Sequence, residues 1–236
     1  EVLDESTPFA VTGVVAMLYA RADLLLLSWF RGDAVAGRYG MAYRLWEAMG
    51  MIPASFLDAL FPELSRLSGQ GAGLTRLRLL YRRGGQIVAG SGLLLSAATQ
   101  VAATALGRLL YGRTPDAVVA VGILRVLLFA FPLTYLYLLN GHALYAVGRQ
   151  RRVTAAMTAV TAAKLLLDAL AVPRWGTWGA ASVALACEGA LFAWLQWLAW
   201  RSVLRVSAAG GREALVGGRD DRAPTGGVEE ERNASE

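Results

Sequence analysis

Residues 9–30 read FAVTGVVAMLYARADLLLLSWF, and this stretch decides the fold class of the chain. A helix that crosses the hydrocarbon core of a bilayer needs about 20 consecutive, mostly apolar residues. The stretch has that length, and its ionisable side chains are those of Arg21 and Asp23. It therefore predicts a transmembrane helix that carries two charged groups near its middle.

Five further segments have a similar length and composition, and they lie near 39–61, 85–107, 117–147, 153–172 and 178–200. The fourth of the six spans, 117–147, is longer than a bilayer requires and contains Pro132, so we expect a kink or a tilt there. The connections are short, which makes consecutive helices antiparallel neighbours. The sequence thus predicts an all-α, polytopic membrane protein whose residues 1–206 form a bundle of about six transmembrane helices.

The overall composition agrees with a membrane protein. Hydrophobic residues make up 56% of the chain and charged residues 17%, which is too little charge to cover the surface of a soluble domain of this size. The net charge of +5 could suit a nucleic-acid-binding protein. However, the arginines cluster in short loops between apolar runs, so we expect the bilayer and no nucleic acid as a partner.

Two segments are predicted to lie outside the membrane. Residues 66–84 contain a run of glycines followed by leucines among arginines, which predicts a loop leading into a short basic helix at the membrane surface. Residues 207–236 are polar and rich in glycine, and we expect them to form a disordered cytoplasmic tail.

The arginines in the short loops predict the orientation of the bundle, because cytoplasmic loops carry the excess of basic residues. One set of loops contains ten arginines: Arg66, Arg76, Arg78, Arg82, Arg83, Arg149, Arg151, Arg152, Arg201 and Arg205. The opposite set contains five: Arg31, Arg38, Arg108, Arg113 and Arg174. The first set is therefore expected in the cytoplasm, together with both termini of this segment.

Ionisable residues inside the apolar spans are the candidate functional residues. Each costs a few kcal/mol at the bilayer centre unless it faces a partner or a wet cavity. In chain order they are Arg21, Asp23, Arg44, Glu47, Arg125, Lys164, Asp168 and Glu188. A helical rise of about 1.5 Å per residue places Arg21 level with Glu47 in the antiparallel second helix. It also places Asp23 within side-chain reach of Arg44.

Two interpretations of these charges stay open. They could form interhelical ion pairs that fix the packing, or they could form the cationic wall of a cavity, with acids that tune it or carry a coupling proton. Lys164 and Asp168 lie four residues apart on one helix face, which favours a structural pair. Glu188 has no basic neighbour in sequence, so it should be protonated or should face another helix, which makes it a candidate proton site.

The sequence contains no recognisable enzyme motif. One histidine, His142, and one cysteine, Cys187, cannot build a zinc site or a Cys/His nucleophile pair across the chain. A Walker A run and a dinucleotide-binding fingerprint are also missing. We therefore expect no enzyme activity, no catalytic residues, no metal and no cofactor.

Two blocks of sequence carry a family resemblance. The first comprises RAD at 21–23, GRYGMAYRLWE at 37–47, IP at 52–53 and ALFPELSRL at 59–67. The second comprises KLLLD at 164–168 and VPRWGTWGAA at 172–181. Together they resemble the polysaccharide-biosynthesis (oligosaccharide) flippases of the multidrug/oligosaccharidyl-lipid/polysaccharide exporter superfamily. At Asp168 this family more usually has asparagine.

The resemblance covers about residues 8–205 and implies the second of two six-helix lobes around a central cavity, as in a MATE-like transporter. Because the first lobe is missing and the chain begins at Glu1 rather than Met, we expect it to be part of a longer protein or to need a partner chain. The implied activity is transfer of an undecaprenyl-pyrophosphate-linked oligosaccharide across the plasma (inner) membrane.

The same resemblance implies roles for the charges inside the spans. Arg21 and Arg44 would bind the pyrophosphate of the lipid-linked glycan, since a pyrophosphate that crosses hydrocarbon needs cationic partners. Asp23, Glu47 and Glu188 are the candidates for ion coupling.

Two other functions remain open at this point. A drug/cation antiporter of the same superfamily would need acids facing the cavity without a matching set of arginines. A non-transporting scaffold subunit in glycan assembly would explain a single lobe, because one lobe has only half of a transport cavity.

Overall fold

The computed structural model describes residues 2–68 and 74–205, and its secondary structure there is helical without strands. The helices are α1 (Val2–Arg31), α2 (Asp33–Ser68), α3 (Leu74–Tyr111), α4 (Pro115–Leu128), α5 (Phe131–Ala146) and α6 (Gln150–Ala199), followed by a π-helical turn at Trp200–Arg205. The predicted all-α fold class is confirmed. The predicted tail at 207–236 lies outside the described residues.

Three of the described helical segments are long and apolar enough to cross a membrane: Gly13–Arg31, Arg76–Tyr111 and Gln150–Ser202. Helices α4 and α5 add a fourth if they are taken as one span with a 48° bend. The predicted span at 39–61 falls inside α2, which does not meet the same composition test. The chain is a multi-pass membrane protein, and the exact bounds of its spans stay predictions.

Helix α6 is a hairpin of two limbs, residues 150–175 and 177–199. The break is at Gly176, whose φ is 56° and ψ is −133°, shortly after Pro173. Val153 and Leu195 line one cavity, although a straight helix would separate them by about 60 Å. The two limbs therefore run back along each other, as the separate predicted spans at 153–172 and 178–200 require.

Close packing and one arginine hold the tip of this hairpin. A Cβ atom at Gly179 would lie 2.7 Å from the carbonyl oxygen of Ala171, so glycine is required there. Arg31, at the end of α1, donates through Nε to the Val172 carbonyl at 3.2 Å and through a terminal nitrogen to the Pro173 carbonyl at 2.7 Å. These bonds satisfy carbonyl groups at the point where the helix loses its regular pattern.

The predicted kink near Pro132 is confirmed, and it separates α4 from α5. Proline has no N–H group, so Pro132 cannot donate to the carbonyl of Leu128. The Ser96 hydroxyl on α3 donates to that carbonyl instead, at 2.7 Å. One turn away, Gln100 donates to the carbonyl of Arg125 at 2.8 Å. Helix α3 thus satisfies the backbone groups that the bend exposes.

The expectation of a separate basic helix within 66–84 is wrong. Helix α3 begins at Leu74 and continues without a break to Tyr111, so the basic residues form its first turns. Leu77, Tyr81 and Val88 are all buried, so one apolar face continues through this region. A Cβ at Gly84 would lie 3.3 Å from the side chain of Leu60, which shows that this glycine serves helix packing and not a turn.

Candidate functional site

Three charged side chains meet inside the bundle. Asp23 on α1 and Lys164 on the first limb of α6 form an ion pair, and the Lys164 ammonium also lies 3.2 Å from Oδ2 of Asp168. Their residues are 2%, 2% and 0% exposed, respectively. The Tyr39 hydroxyl donates to Oδ2 of Asp23 at 2.6 Å. The cluster therefore holds two carboxylates around one ammonium, and it joins α1, α2 and α6.

Helical periodicity explains why Asp23 is buried while Arg21 is not. Tyr19, Asp23 and Leu27 are spaced by four residues, and all three are buried on the same face of α1. Arg21 and Leu25 lie on the opposite, exposed face. The sequence RAD at 21–23 thus sends one charge into the bundle and one outward.

The predicted approach of Asp23 to Arg44 is wrong. Arg44 lies on an exposed face of α2, whereas Tyr39 and Tyr43 occupy the buried face of the same helix. Asp23 turns towards Tyr39 and Lys164 instead. Counting residues along two helices predicts the relative heights of two side chains but not the directions in which they point around each helix axis. Asp23 and Arg44 do not pair because they point in different directions.

The predicted pairing of Arg21 with Glu47 is confirmed. The guanidinium donates to Oε1 of Glu47 at 3.1 Å, and each side chain is 45% exposed. The guanidinium carbon of Arg21, Cζ, lies 5.9 Å from the centre of the Tyr43 ring, which allows a cation–π contact. Arg21 is therefore held against α2 while part of its charged group stays accessible.

Arg21 and Arg44 line one groove between α1 and α2, with a volume of about 370 Å³. Gly37 and Gly40 form part of its wall and leave space beside the two guanidinium groups. The structure thus brings together the two residues that the sequence singled out as cavity cations.

Glu188 is buried among hydroxyl groups, without an ion-pair partner in the part of the chain that the structure describes. The Tyr19 hydroxyl donates to its Oε1 at 3.0 Å, and Oγ1 of Thr134 lies 2.7 Å from its Oε2. The prediction that Glu188 faces another helix is confirmed, because Tyr19 is on α1 and Thr134 on α5.

The Thr134 hydroxyl also lies 3.1 Å from the carbonyl oxygen of Ala130. A hydroxyl has one hydrogen to donate, so Thr134 cannot donate to Ala130 and to Glu188 at the same time. If the carboxyl of Glu188 carries a proton, it donates to Thr134, which then donates to Ala130. The Ala130 carbonyl also accepts from the backbone N–H of Thr134 at 2.9 Å, so these groups are satisfied whether the carboxyl of Glu188 is protonated or ionised.

A cavity of about 240 Å³ connects the two buried acidic sites. Its lining includes Asp23, Lys164 and Glu188, together with aromatic residues such as Tyr19 and Trp46. The Lys164 ammonium lies 5.7 Å from the centre of the Tyr19 ring, and Tyr19 in turn bonds Glu188. Tyr19 is therefore the side chain that bridges the two sites.

Sequence reasoning missed the hydroxyl partners Tyr19, Tyr39 and Thr134. Spacing could have suggested Tyr19, because it lies four residues before Asp23 on the same helix face. Nothing in the local sequence of Tyr39 or Thr134 indicates a carboxylate partner. Within residues 2–68 and 74–205, no group of three or more His, Cys, Asp or Glu side chains is arranged to hold a metal ion.

Comparison with known proteins shows which fold the chain resembles. No family model matches the chain, and no curated protein matches it. Among solved structures, it is similar to the lipid II flippase MurJ in an inward closed conformation, with a TM-score of 0.62 and 15% sequence identity. The match covers 94% of this chain and 49% of that chain, so this chain spans about half the length of MurJ. At this identity the likeness shows the fold alone, an all-helical membrane fold like that of half of MurJ.

Proposed function

We propose that this chain is one lobe of a flippase that moves an oligosaccharide, linked to undecaprenyl pyrophosphate, from the cytoplasmic to the outer leaflet of the plasma (inner) membrane. The observation that carries the proposal is the groove shared by Arg21 and Arg44, in a chain whose fold is similar to that of a lipid II flippase. Each terminus of the described segment would then face the cytoplasm, as the arginines in the loops predict.

The position of Arg21 supports a polar cavity beside α1. It lies near the middle of the candidate span Gly13–Arg31, about 12 Å along the helix from Gly13. Its side chain is 45% exposed in this chain. A half-exposed guanidinium at that depth is costly in contact with lipid, whereas a wet cavity or an anionic ligand removes the cost.

Two arginines on one groove match the chemistry of a pyrophosphate. A guanidinium presents several N–H donors in one plane and forms paired, charge-assisted hydrogen bonds with phosphate oxygens. We propose that Arg44 binds the pyrophosphate directly and that Arg21 exchanges its bond to Glu47 for one to the ligand. Glu47 thereby competes with the substrate and favours its release.

The three candidate coupling acids differ in their surroundings. Asp23 is paired with Lys164 and Glu47 with Arg21, while Glu188 is held by hydroxyl groups. We propose that Glu188 carries the coupling proton and that Asp23 and Glu47 are the charge partners of the two cations. We also propose that a second lobe of similar size, from the same protein or a partner chain, completes the cavity, because this chain spans about half of MurJ.

Export of the glycan by the full-length protein tests the proposal. Arg21→Gln and Arg44→Gln remove the proposed pyrophosphate ligands, and the double variant should reduce export at least tenfold, since a hydrogen bond to a charged group contributes about 1.5–3 kcal/mol. Arg38→Gln is the matched control, because Arg38 is also on α2 but forms an exposed ion pair with Asp116 at 2.7 Å. Membrane levels of all variants are measured by immunoblotting.

Normal export by the double variant would show that Arg21 and Arg44 only stabilise the fold. Loss of drug efflux without loss of glycan export would favour the antiporter instead. Glu188→Gln tests coupling separately. It should block export while a purified protein still binds undecaprenyl pyrophosphate as tightly as the unmodified protein does.

A further inference from the structure

A second arginine-lined groove lies between the end of α3 and the start of α4. Arg108, Arg113 and Arg125 line it, and its volume is about 500 Å³. It shares no lining residue with the groove of Arg21 and Arg44 or with the central cavity. This groove therefore needs an explanation of its own, independent of the proposed function.

Helix packing brings the three arginines together. A terminal nitrogen of Arg125 donates to Oγ1 of Thr104 at 3.1 Å, which sets Arg125 level with Thr104 on α3. Arg108 lies one turn further along α3, and Arg113 follows in the connection to α4. The helices approach closely here because a Cβ at Gly107 would overlap the Val121 side chain. The guanidinium groups thus follow one another along the groove, from inside the span to its end.

The charge of this groove is not balanced by nearby acids. In the described ranges, none of these three arginines forms an ion pair with a carboxylate, and the adjacent Asp116 is bonded to Arg38 at 2.7 Å. The N-terminus of α4 (Pro115–Leu128) lies at the same end, where the Thr114 hydroxyl accepts from the Ala117 N–H at 3.2 Å. The groove is therefore a site for an anionic group.

The surface around the groove is apolar and open. Val101, Leu109 and Val118 are 88%, 79% and 72% exposed, and all three lie on the helices that form the groove. Arg125 is exposed on α4, about 15 Å along the helix from Pro115. A cation at that depth on an apolar surface needs oxygen acceptors, and within the described residues its one bond to Thr104 leaves most of its N–H groups without one. The ligand should therefore have both a negative headgroup and hydrocarbon chains.

We propose that this groove binds an anionic membrane phospholipid. Its phosphate contacts Arg108 and Arg113 at the end of the groove, and its ester oxygens accept from Arg125 deeper in the span, while its acyl chains lie along the apolar surface of α3 and α4. A free phosphate would satisfy the arginines but would leave Arg125 inside the span without the apolar chains that cover its surroundings. The lipid would fasten α3 to α4 on the outer surface of the bundle, away from the proposed substrate groove.

Lipid binding to the purified full-length protein in detergent tests this inference. Native mass spectrometry counts bound molecules of phosphatidylglycerol or of zwitterionic phosphatidylcholine, and a third sample contains inorganic pyrophosphate alone. The unmodified protein should retain phosphatidylglycerol in preference to phosphatidylcholine. The triple variant Arg108→Gln/Arg113→Gln/Arg125→Gln should weaken phosphatidylglycerol binding at least tenfold.

The matched control is Arg76→Gln/Arg82→Gln/Arg83→Gln, which removes the same charge from the opposite end of α3 and should bind phosphatidylglycerol normally. Arg113 lies in the connection between α3 and α4, so the single variant Arg113→Gln tests the groove if the triple variant does not fold. It should weaken phosphatidylglycerol binding several-fold.

Unchanged phosphatidylglycerol binding by a folded triple variant overturns the proposal. Three other results would also overturn it: an equal loss of phosphatidylglycerol binding in the control variant, equal retention of phosphatidylcholine, or occupation of the groove by pyrophosphate alone. Displacement of phosphatidylglycerol by an equimolar amount of undecaprenyl pyrophosphate would assign the groove to the substrate instead.

Discussion

Lys164 on the first limb of α6 forms an ion pair with Asp23 on α1, and both side chains are almost completely buried. Oδ2 of Asp168, one turn further along α6, accepts from the same ammonium at 3.2 Å. Lys164 and Asp168 therefore form the pair that their spacing predicts, but the pair is part of a larger cluster. Its third member, Asp23, ties the hairpin of α6 to the first helix.

Replacing the central ammonium should be strongly destabilising. Lys164→Met keeps a similar volume but leaves Asp23 and Asp168 buried without their shared counter-ion. Breaking a buried ion pair in this way costs about 3–5 kcal/mol in the free energy of unfolding. The full-length protein in detergent should unfold at a clearly lower temperature, measured by intrinsic fluorescence or by aggregation.

A compensating variant distinguishes lost charge balance from lost packing. Asp23→Asn/Lys164→Met/Asp168→Asn removes all three charges and should recover most of the loss, because neutral groups need no buried counter-ion. Leu166→Met, on an exposed face of the same helix, is the neutral control. If the triple variant is less stable than Lys164→Met alone, the cluster acts through its packing and not through its charge.

The groove of Arg21 and Arg44 should be accessible to water. The single cysteine of the chain, Cys187, is 4% exposed, so it provides a low background for thiol labelling. Glu47 does not line the groove itself but bonds Arg21, which does. A Glu47→Cys variant should react with a water-soluble, membrane-impermeant maleimide in membranes opened to reagent on both sides. Thiols react as thiolates, which form in water and not in hydrocarbon.

Leu166→Cys is the comparison, because Leu166 is 69% exposed and has exposed leucines at 167 and 170 beside it. We expect that position to face lipid and to be labelled at least tenfold more slowly. Equal rates at the two positions would mean that exposure in this chain, and not a wet cavity, explains the reactivity at position 47.

The bond from Ser96 to the carbonyl of Leu128 should stabilise the bend between α4 and α5. Ser96→Ala leaves a buried carbonyl without its donor, at a cost of about 1–3 kcal/mol in the free energy of unfolding. In a Pro132→Ala background the cost should be smaller, since alanine supplies an N–H group for that carbonyl. A double-mutant cycle on thermal or denaturant unfolding measures this coupling.

Ser91→Ala is the matched control on the same helix, because the Ser91 hydroxyl donates only within α3, to the carbonyl of Val88 at 3.1 Å. It should change stability by less than about 0.5 kcal/mol. Additive effects of Ser96→Ala and Pro132→Ala would show that the serine does not compensate for the proline.

The hairpin of α6 should depend on glycine at position 176. Its φ of 56° with ψ of −133° is a backbone conformation that residues with a Cβ rarely adopt, so Gly176→Ala should cost about 1–3 kcal/mol. Gly90→Ala on α3 is the control, because a Cβ there would meet no side chain or neighbouring helix within 4 Å and alanine favours the helix. Unfolding measurements that show equal effects for the two substitutions would contradict the backbone explanation.

The amino-acid sequence by itself determined that this chain is a helical membrane protein. The length and composition of segments such as 9–30 are properties of local sequence, and so are the kink at Pro132 and the spacing of Lys164 and Asp168. The antiparallel arrangement of neighbouring helices and the rise per residue of an α-helix were also enough to predict that Arg21 lies level with Glu47. Each of these conclusions depends on distances along one helix or on two helices joined by a short connection.

Only the tertiary structure decided which way the charged side chains point and what they meet. Asp23 reaches Lys164 and Tyr39 and not Arg44, because the rotation of α1 about its axis is set by packing against α2 and α6 together. The hydroxyl groups around Glu188 come from α1 and α5, and the arginine groove arises where α3 and α4 approach. The height of a side chain within the membrane follows from counting residues. The direction in which it points around the helix axis depends on how all the remaining side chains of that helix are buried.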